Sequence, residues 1–336
     1  MKKTENSEEW LKNLPVQTEN VGFQSEEMIR CAKCGRTNPP TRGKCFYCAA
    51  ELEVSEAQER FLKPNLRKLE TWEKGFNLIF TGVSPQFDET GLKKIAGILK
   101  TEKEFLHKII AAGKALPLAR AESEKEAEVV RNRLTECGAE SFVLSDEKLM
   151  PEKPPQRLRG IEFFAGKLIL TLFNRDEIVE VGGEDLTLIV AGATFERRIE
   201  ATEKHGKKGE KEILNVTETA SDESLIDIYV RRDNLGYRIL TTGFDFSCLG
   251  AEKGILAKDN IKKLAEKLTN IAPNAKFVND YLQIRELLAK IWEVEQKSDS
   301  SGLQRSGVGK FIFGNVTTVN NLAQFTKYSR LQPNLL

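Results

Sequence analysis

Four of the six cysteines stand in a pattern that can hold a metal ion. Cys31-Ala32-Lys33-Cys34 and Cys45-Phe46-Tyr47-Cys48 are two C-x-x-C pairs with ten residues between them, whereas Cys137 and Cys248 stand alone. Two residues between thiolates let both sulfurs of a pair reach one ion, and two such pairs supply the tetrahedral four-sulfur set that Zn2+ accepts. The expectation is one structural Zn2+ per chain, bound by Cys31, Cys34, Cys45 and Cys48. With a protein sulfur at each position, no place is left for a catalytic water. Iron is the alternative occupant, since it also suits a tetrahedral four-sulfur site. Disulfides are the other alternative, disfavoured where thiols are kept reduced. A loop this short buries little core, so metal binding and folding should be one event, worth on the order of 10 kcal/mol or more. Lys33, Arg36, Arg42 and Lys44 surround the cluster and offset its thiolate charge.

Elsewhere the sequence offers little that could do chemistry. Gly307-Val308-Gly309-Lys310-Phe311 fails the phosphate-loop pattern at its first glycine and its final hydroxyl residue. G-x-S-x-G, H-E-x-x-H and G-x-G-x-x-G do not occur. His107 falls in a helical pattern and His205 in the charged hairpin tip ending at Gly209, both read as surface positions. Cys137 lies on the apolar stripe of a helix and reads as core packing, which leaves Cys248 as the thiol to test for reactivity. The expectation is no catalytic residue, no enzyme activity and no cofactor besides the metal.

The elements that must carry these residues divide the 336-residue chain into modules. Residues 1–28 read as a flexible tail, 29–52 as the metal module and 53–74 as a helical connector, its second helix starting at Pro64 and stopping at Gly75. Residues 75–147 alternate strand and helix signals in the order strand, helix, helix, strand, helix, strand, with Ser123 and Glu126 forming a capping box. Pro151, Pro154 and Pro155 make 148–157 a stiff linker. Residues 158–296 are β-rich with C-terminal helices, and 297–336 form a basic and aromatic tail packed on them. Its Arg305, Lys310, Lys327 and Arg330 alternate with Phe311, Phe313, Phe325 and Tyr328, a mixture that could also stack on single-stranded nucleic acid. The fold class is multidomain α+β, the C-terminal domain a pleckstrin-homology-like or other small barrel or sandwich with a capping helix.

The stretch from Cys31 to Cys48, with Gly35 after the second cysteine and Arg36, Asn38 and Pro39 in the loop, resembles the zinc-ribbon family. Residues 76–145 resemble the C-terminal domain of the bacterial ribosomal stalk protein, and are similar to the related Clp-protease adaptor fold. The match is closest from Ala115 through the Ser123-capped helix to Gly138-Ala139-Glu140. That resemblance implies a protein-docking module. In the stalk family translation GTPases dock on the first two helices through a Gly-Leu-Lys-rich link; Thr101-Glu102-Lys103-Glu104 carries no such glycine pair, so factor binding is not implied.

Charge narrows the function classes. With 51 Lys+Arg against 50 Asp+Glu the net charge is +1, which excludes a globally basic nucleic-acid or membrane-surface protein. No apolar run approaches the ~20 residues of a membrane span, and Met1 to Glu9 lacks the apolar core of a signal peptide. The leading expectation is a cytoplasmic, zinc-binding, non-enzymatic adaptor or scaffold whose partner is another protein or a second copy of itself. A nucleic-acid-associated regulator using the ribbon and basic tail is the alternative, and an enzyme built on the β-rich module comes third.

Overall fold

The computed structural model describes residues 22–55, 58, 61–62, 66–149, 152–175, 177–205, 211–231, 233–307 and 310–336. The chain divides by its contacts into two compact units, Met1–Asn65 and Leu66–Leu336. The boundary expected at 148–157 lies within the second unit.

The described part of the first unit has little regular structure. Strand β1 (Ile29–Arg30) pairs antiparallel with β2 (Thr37–Asn38), and Lys44 forms an antiparallel bridge with Glu51. These short pairings close two loops around the cysteines. Ile29, Cys31, Cys45 and Leu52 are buried.

The second unit is mixed α+β. It begins with β3 (Phe76–Val83), α1 (Glu89–Leu99), α2 (Lys103–Ala112), β4 (Leu116–Ala121), α3 (Glu124–Glu136) and β5 (Ala139–Ser145). β3 is central and antiparallel to both neighbours in a three-stranded sheet ordered β4-β3-β5. Side chains cap α1 and α3 as their sequences direct: Asp88 accepts from the Gly91 amide and Ser123 from the Glu126 amide. Glu126 completes the return contact one residue early, on the amide of Glu122.

After the short helix α4 (Asp146–Leu149) come β6 (Gln156–Phe164), β7 (Lys167–Leu172), β8 (Ile178–Gly182), β9 (Leu186–His205), β10 (Lys211–Val230) and β11 (Asp233–Leu240). Then follow α5 (Ala257–Ile271), β12 (Lys276–Val278), α6 (Tyr281–Leu288), β13 (Glu295–Gly307), β14 (Lys310–Asn320) and α7 (Leu322–Leu331). Strands β6 to β14 form a curled nine-stranded sheet, ordered β13-β14-β9-β10-β11-β6-β7-β8 with β12 beside β9. Both of its faces are covered near the middle. Leu188, Val190, Leu225 and Tyr229 join an apolar cluster with α1, α2, α3, α6 and α7, while Ile189, Ile226, Ile228 and Ile239 join a second cluster with α5. Burial on both sides explains why Leu186 to Val190 reads as an apolar run rather than an alternation. The first cluster is continuous from Leu78 to Leu331, so the α/β part and the sheet share one core.

Two strands run on through turn-forming residues, and one local expectation changes. β9 continues from Leu186 to His205 through Gly192, which is not a turn. A Cβ there would stand 2.4 Å from the Phe325 ring, so the glycine admits an aromatic side chain against the backbone. β10 likewise continues from Lys211 to Val230, its register with β9 running through Ser221 and Asp222. The helix expected from Pro64 to Gly75 is not formed over its described residues, 66–75. There Arg67 grips Glu73, the Glu73 carboxylate takes the Glu70 amide, and Arg120 takes the Glu70 and Glu73 carbonyls. These contacts use backbone groups that a helix would need. Leu69 is buried and Leu66 packs on the shared core.

Candidate metal centre

The two C-x-x-C pairs adopt the same local conformation. In the first, the Gly35 amide donates to the Cys31 carbonyl at 2.8 Å and the Cys31 amide to Arg36 at 2.9 Å. In the second, Ala49 donates to Cys45 at 3.0 Å and Cys45 to Ala50 at 2.7 Å. Both turns need a left-handed residue after the second cysteine, Gly35 at φ 69° and Ala49 at φ 56°. Asn38, wholly buried, joins the two: its amide group donates to the Arg36 carbonyl and the Cys45 sulfur, and its oxygen accepts from the Phe46 amide.

The turns bring the four sulfurs within 4.8 Å of one another. Cys31 Sγ lies 3.6 Å from Cys48 Sγ, and Cys34 Sγ lies 3.6 Å from Cys45 Sγ. A disulfide would need about 2.05 Å. A tetrahedron with metal–sulfur bonds of about 2.3 Å has edges of about 3.8 Å, which the observed separations approach. All six cysteines are free thiols. The residues present therefore fit a four-sulfur metal.

Electrostatics within the cluster lead the same way. Burial opposes the Cys45 thiolate, but the Cys48 and Tyr47 amides and the Asn38 side chain outweigh it and bring the thiol down to about 6. The Cys34 amide leads in lowering Cys31. At Cys34 the Arg36 amide pulls down, yet burial and the three neighbouring sulfurs push the thiol up to about 11. Four sulfurs this close resist carrying four negative charges together, and a central dication removes the conflict.

No family model, curated protein or solved structure matches this chain.

The other residues singled out by sequence do not gather around the cysteines. His107 is exposed on α2, its Nε2 3.9 Å from Glu89. His205 ends β9 with its side chain outside the described residues, as are the hairpin tip 206–210 and the pair Val308 and Gly309. Cys137 caps the end of α3, and burial raises its thiol. Cys248 lies in a 3-10 turn between β11 and α5, and burial raises its thiol too, against the pull of Lys267. Neither is poised as a thiolate nucleophile.

The tail continues the sheet as β13 and β14, on which Arg305, Lys310, Phe311 and Phe313 lie with side chains outside the described set. α7 then enters the core: Phe325, Tyr328 and Leu331 are fully buried, and so, nearly, are Lys327 and Arg330. Arg330 donates to the Lys153 carbonyl. Lys327 faces Asp146.

A set of buried polar contacts was missed by sequence reasoning. Asp227 and Arg238 form a two-pronged ion pair at 2.7 Å that Thr326 extends, Tyr229 bonds Ser329, and Tyr281 bonds Gln324 and Asn321. Asp146 accepts from Gly75, Asn77 and Arg120, and Asn77 in turn accepts from Trp292, 215 residues away. The available signal was the run of polar residues on α7, which reads as a solvated face until its partners are known.

Proposed function

We propose that this chain is a non-enzymatic protein–protein adaptor whose N-terminal unit is a zinc ribbon and whose site of action is the cytoplasm. The ion is Zn2+ in this reading, because the donor set is all sulfur and complete, which suits a structural rather than a catalytic role. One observation carries the adaptor reading. Phe46 and Tyr47, between the ligands Cys45 and Cys48, are 68% and 53% exposed and meet edge to face at 5.5 Å. The Arg42 guanidinium lies 5.1 Å from the Phe46 ring centre and Arg36 lies 4.6 Å from that of Tyr47. Exposed aromatics ordered by arginines on a rigid, metal-stapled turn have the composition and stiffness of a binding hot spot.

The strand order of residues 76–145 supports the stalk-like reading of that module, with a protein-docking role. Its second helix, α2, contacts α6, so the face used for factor docking in the stalk family is partly occupied within the chain. Among the described residues no helix is long and apolar enough to cross a membrane.

A second reading, a nucleic-acid-associated regulator, draws on Arg30, Lys33, Arg36, Arg42 and Lys44, which stand between residues 29 and 50 without an acidic residue. Burial of Lys327 and Arg330 leaves the tail little to add to it. Crosslinking in the native host, comparing wild type with Phe46→Ala/Tyr47→Ala at equal zinc content, tests the choice. The adaptor reading expects a protein partner lost in the variant. Loss instead of an oligonucleotide affinity that falls steeply with salt would install the second reading; an unchanged crosslink pattern would remove both.

A further inference from the structure

A cavity of about 600 Å3 opens in the second unit between the irregular segment 66–74, the end of α1 and the stretch 290–295, with α7 along one side. Its wall includes the largely buried side chains of Arg120, Asp146 and Lys327. Here cations outnumber acceptors. The Asp146 oxygens are taken by the Gly75 amide, Asn77 and Arg120. Lys327 Nζ lies 3.7 Å from Asp146, beyond hydrogen-bond distance, although its side chain is only 11% exposed. Buried Arg120 Nε has no hydrogen-bond partner.

The rest of the wall redresses this in part. Glu73 is held by Arg67, Glu293 by Lys68, and Glu295 lies 3.9 Å from Lys297. Glu152 is the remaining carboxylate among the described wall residues, and Lys290 adds another cation at the rim. Trp72, 77% exposed, offers a flat apolar surface at the same cavity. Arg120 spends Nη1 and Nη2 on the Glu70 and Glu73 carbonyls and on Asp146, which leaves its Nε, and among the described carboxylates Lys327 has only Asp146 and Glu152 to face; an anion in the space beside them would meet these remaining donors.

We propose that this cavity binds a small organic anion, its carboxylate or phosphate head meeting Lys327 and Arg120 and its body lying against Trp72. Titration calorimetry on the full chain, with citrate, inorganic phosphate and AMP as probes, tests this. At least one should bind with a Kd of about 1 mM or tighter. Citrate alone would assign a carboxylate head, and phosphate or AMP alone a phosphate head. Lys327→Met, which keeps the side-chain volume and removes the charge, should weaken that binding at least about tenfold. Should Lys327→Met fail to fold, Lys290→Glu at the exposed rim takes its place, with an expected loss of at least about fivefold. Absence of binding by all three probes overturns the proposal. So does undiminished binding in Lys327→Met or, where that variant is unfolded, in Lys290→Glu.

Discussion

The described part of Met1–Asn65 gathers around four sulfurs from a span of eighteen residues, Cys31 to Cys48, with Ile29, Leu52, Val54 and Leu62 as its buried apolar side chains besides the cysteines. Leu66–Leu336 gathers around two apolar clusters and a web of buried polar contacts, several of which join residues more than a hundred positions apart. A metal concentrates the folding free energy of a short segment into one site, whereas a large core spreads it over many side chains. The first unit should therefore fail all at once on a single change, and the second should lose stability in graded steps.

Cys45→Ser or a strong chelator should have the largest effect. In the proposed zinc-ribbon reading, removing the metal should cost the first unit on the order of 10 kcal/mol, more than so small a segment can supply from burial. Metal analysis should fall from one zinc per chain to near none, and amide protection should vanish from Ile29 to Leu52. The melting of the second unit should not move. Protection that survives in metal-free protein would show that the first unit has a core of its own.

Next in size is the loss of α7. Phe325, Tyr328 and Leu331 are fully buried, and each such side chain contributes about 1.5–3 kcal/mol. Their removal also strands Arg238, Tyr229 and Asp146 without Thr326, Ser329 and Lys327. Deleting residues 300–336 should abolish cooperative unfolding of the second unit. Phe325→Ala alone should cost about 3–5 kcal/mol, because the ring fills the space left open by Gly192. A deletion variant that melts normally and has lost affinity for single strands would restore the tail as a stacking platform.

Acid should act on the second unit through Asp146. Burial alone would raise this carboxyl, but Lys327, Asn77 and Arg120 together hold it below the ordinary carboxylate range. Its folded value lies under its unfolded one, so the unfolded chain binds the proton more readily between the two. The stability it contributes is present above about pH 4 and is lost as pH falls through the folded value. Asp146→Asn should lower stability at neutral pH by about 3–5 kcal/mol, since it leaves Arg120 and Lys327 short of a counter-charge. It should also flatten the acid limb of the stability curve. An acid limb as steep in the variant as in the wild type would assign that limb to other carboxylates, such as Asp280 beside Lys114.

The same contrast separates what could be read in the sequence from what could not. The metal cluster is local: two pairs with fixed spacing and a glycine after the second cysteine state their geometry within eighteen residues. The helices and strands of residues 76–145 were legible for a similar reason, through period and caps such as Ser123. The need for glycine at position 192 was not legible, because its reason lies in Phe325, over a hundred residues on. Lys327 and Arg330 read only as cations of a basic tail because nothing near them names Asp146 or the Lys153 carbonyl as a partner. The helix expected after Pro64 failed for want of knowing that Arg120 claims the Glu70 and Glu73 carbonyls. Periodicity reports which face is apolar, but it is silent on which distant polar group will share a buried one.

The smallest effect lies inside the metal unit, where the two turns differ in one residue. Gly35 and Ala49 occupy equivalent positions, both with positive φ, both donating to the first cysteine of their pair. An L residue is disfavoured there by about 1–2 kcal/mol relative to its preferred conformations, and glycine is not. Glycine in turn loses more backbone freedom on folding, by roughly 0.5–1 kcal/mol. Ala49→Gly should therefore gain about 0.5 kcal/mol, and Gly35→Ala should lose a similar amount or somewhat more. Space does not complicate the second change, because a Cβ on residue 35 meets only Arg30 Nη2 at 3.8 Å. In the proposed zinc-ribbon reading, folding of this unit and metal binding are coupled, so both changes should appear in a chelator competition as zinc affinity. About a two- to threefold tightening is expected for Ala49→Gly and a comparable weakening for Gly35→Ala. Identical affinities in all three proteins would mean that the metal dictates these backbone angles and that the turns contribute nothing of their own.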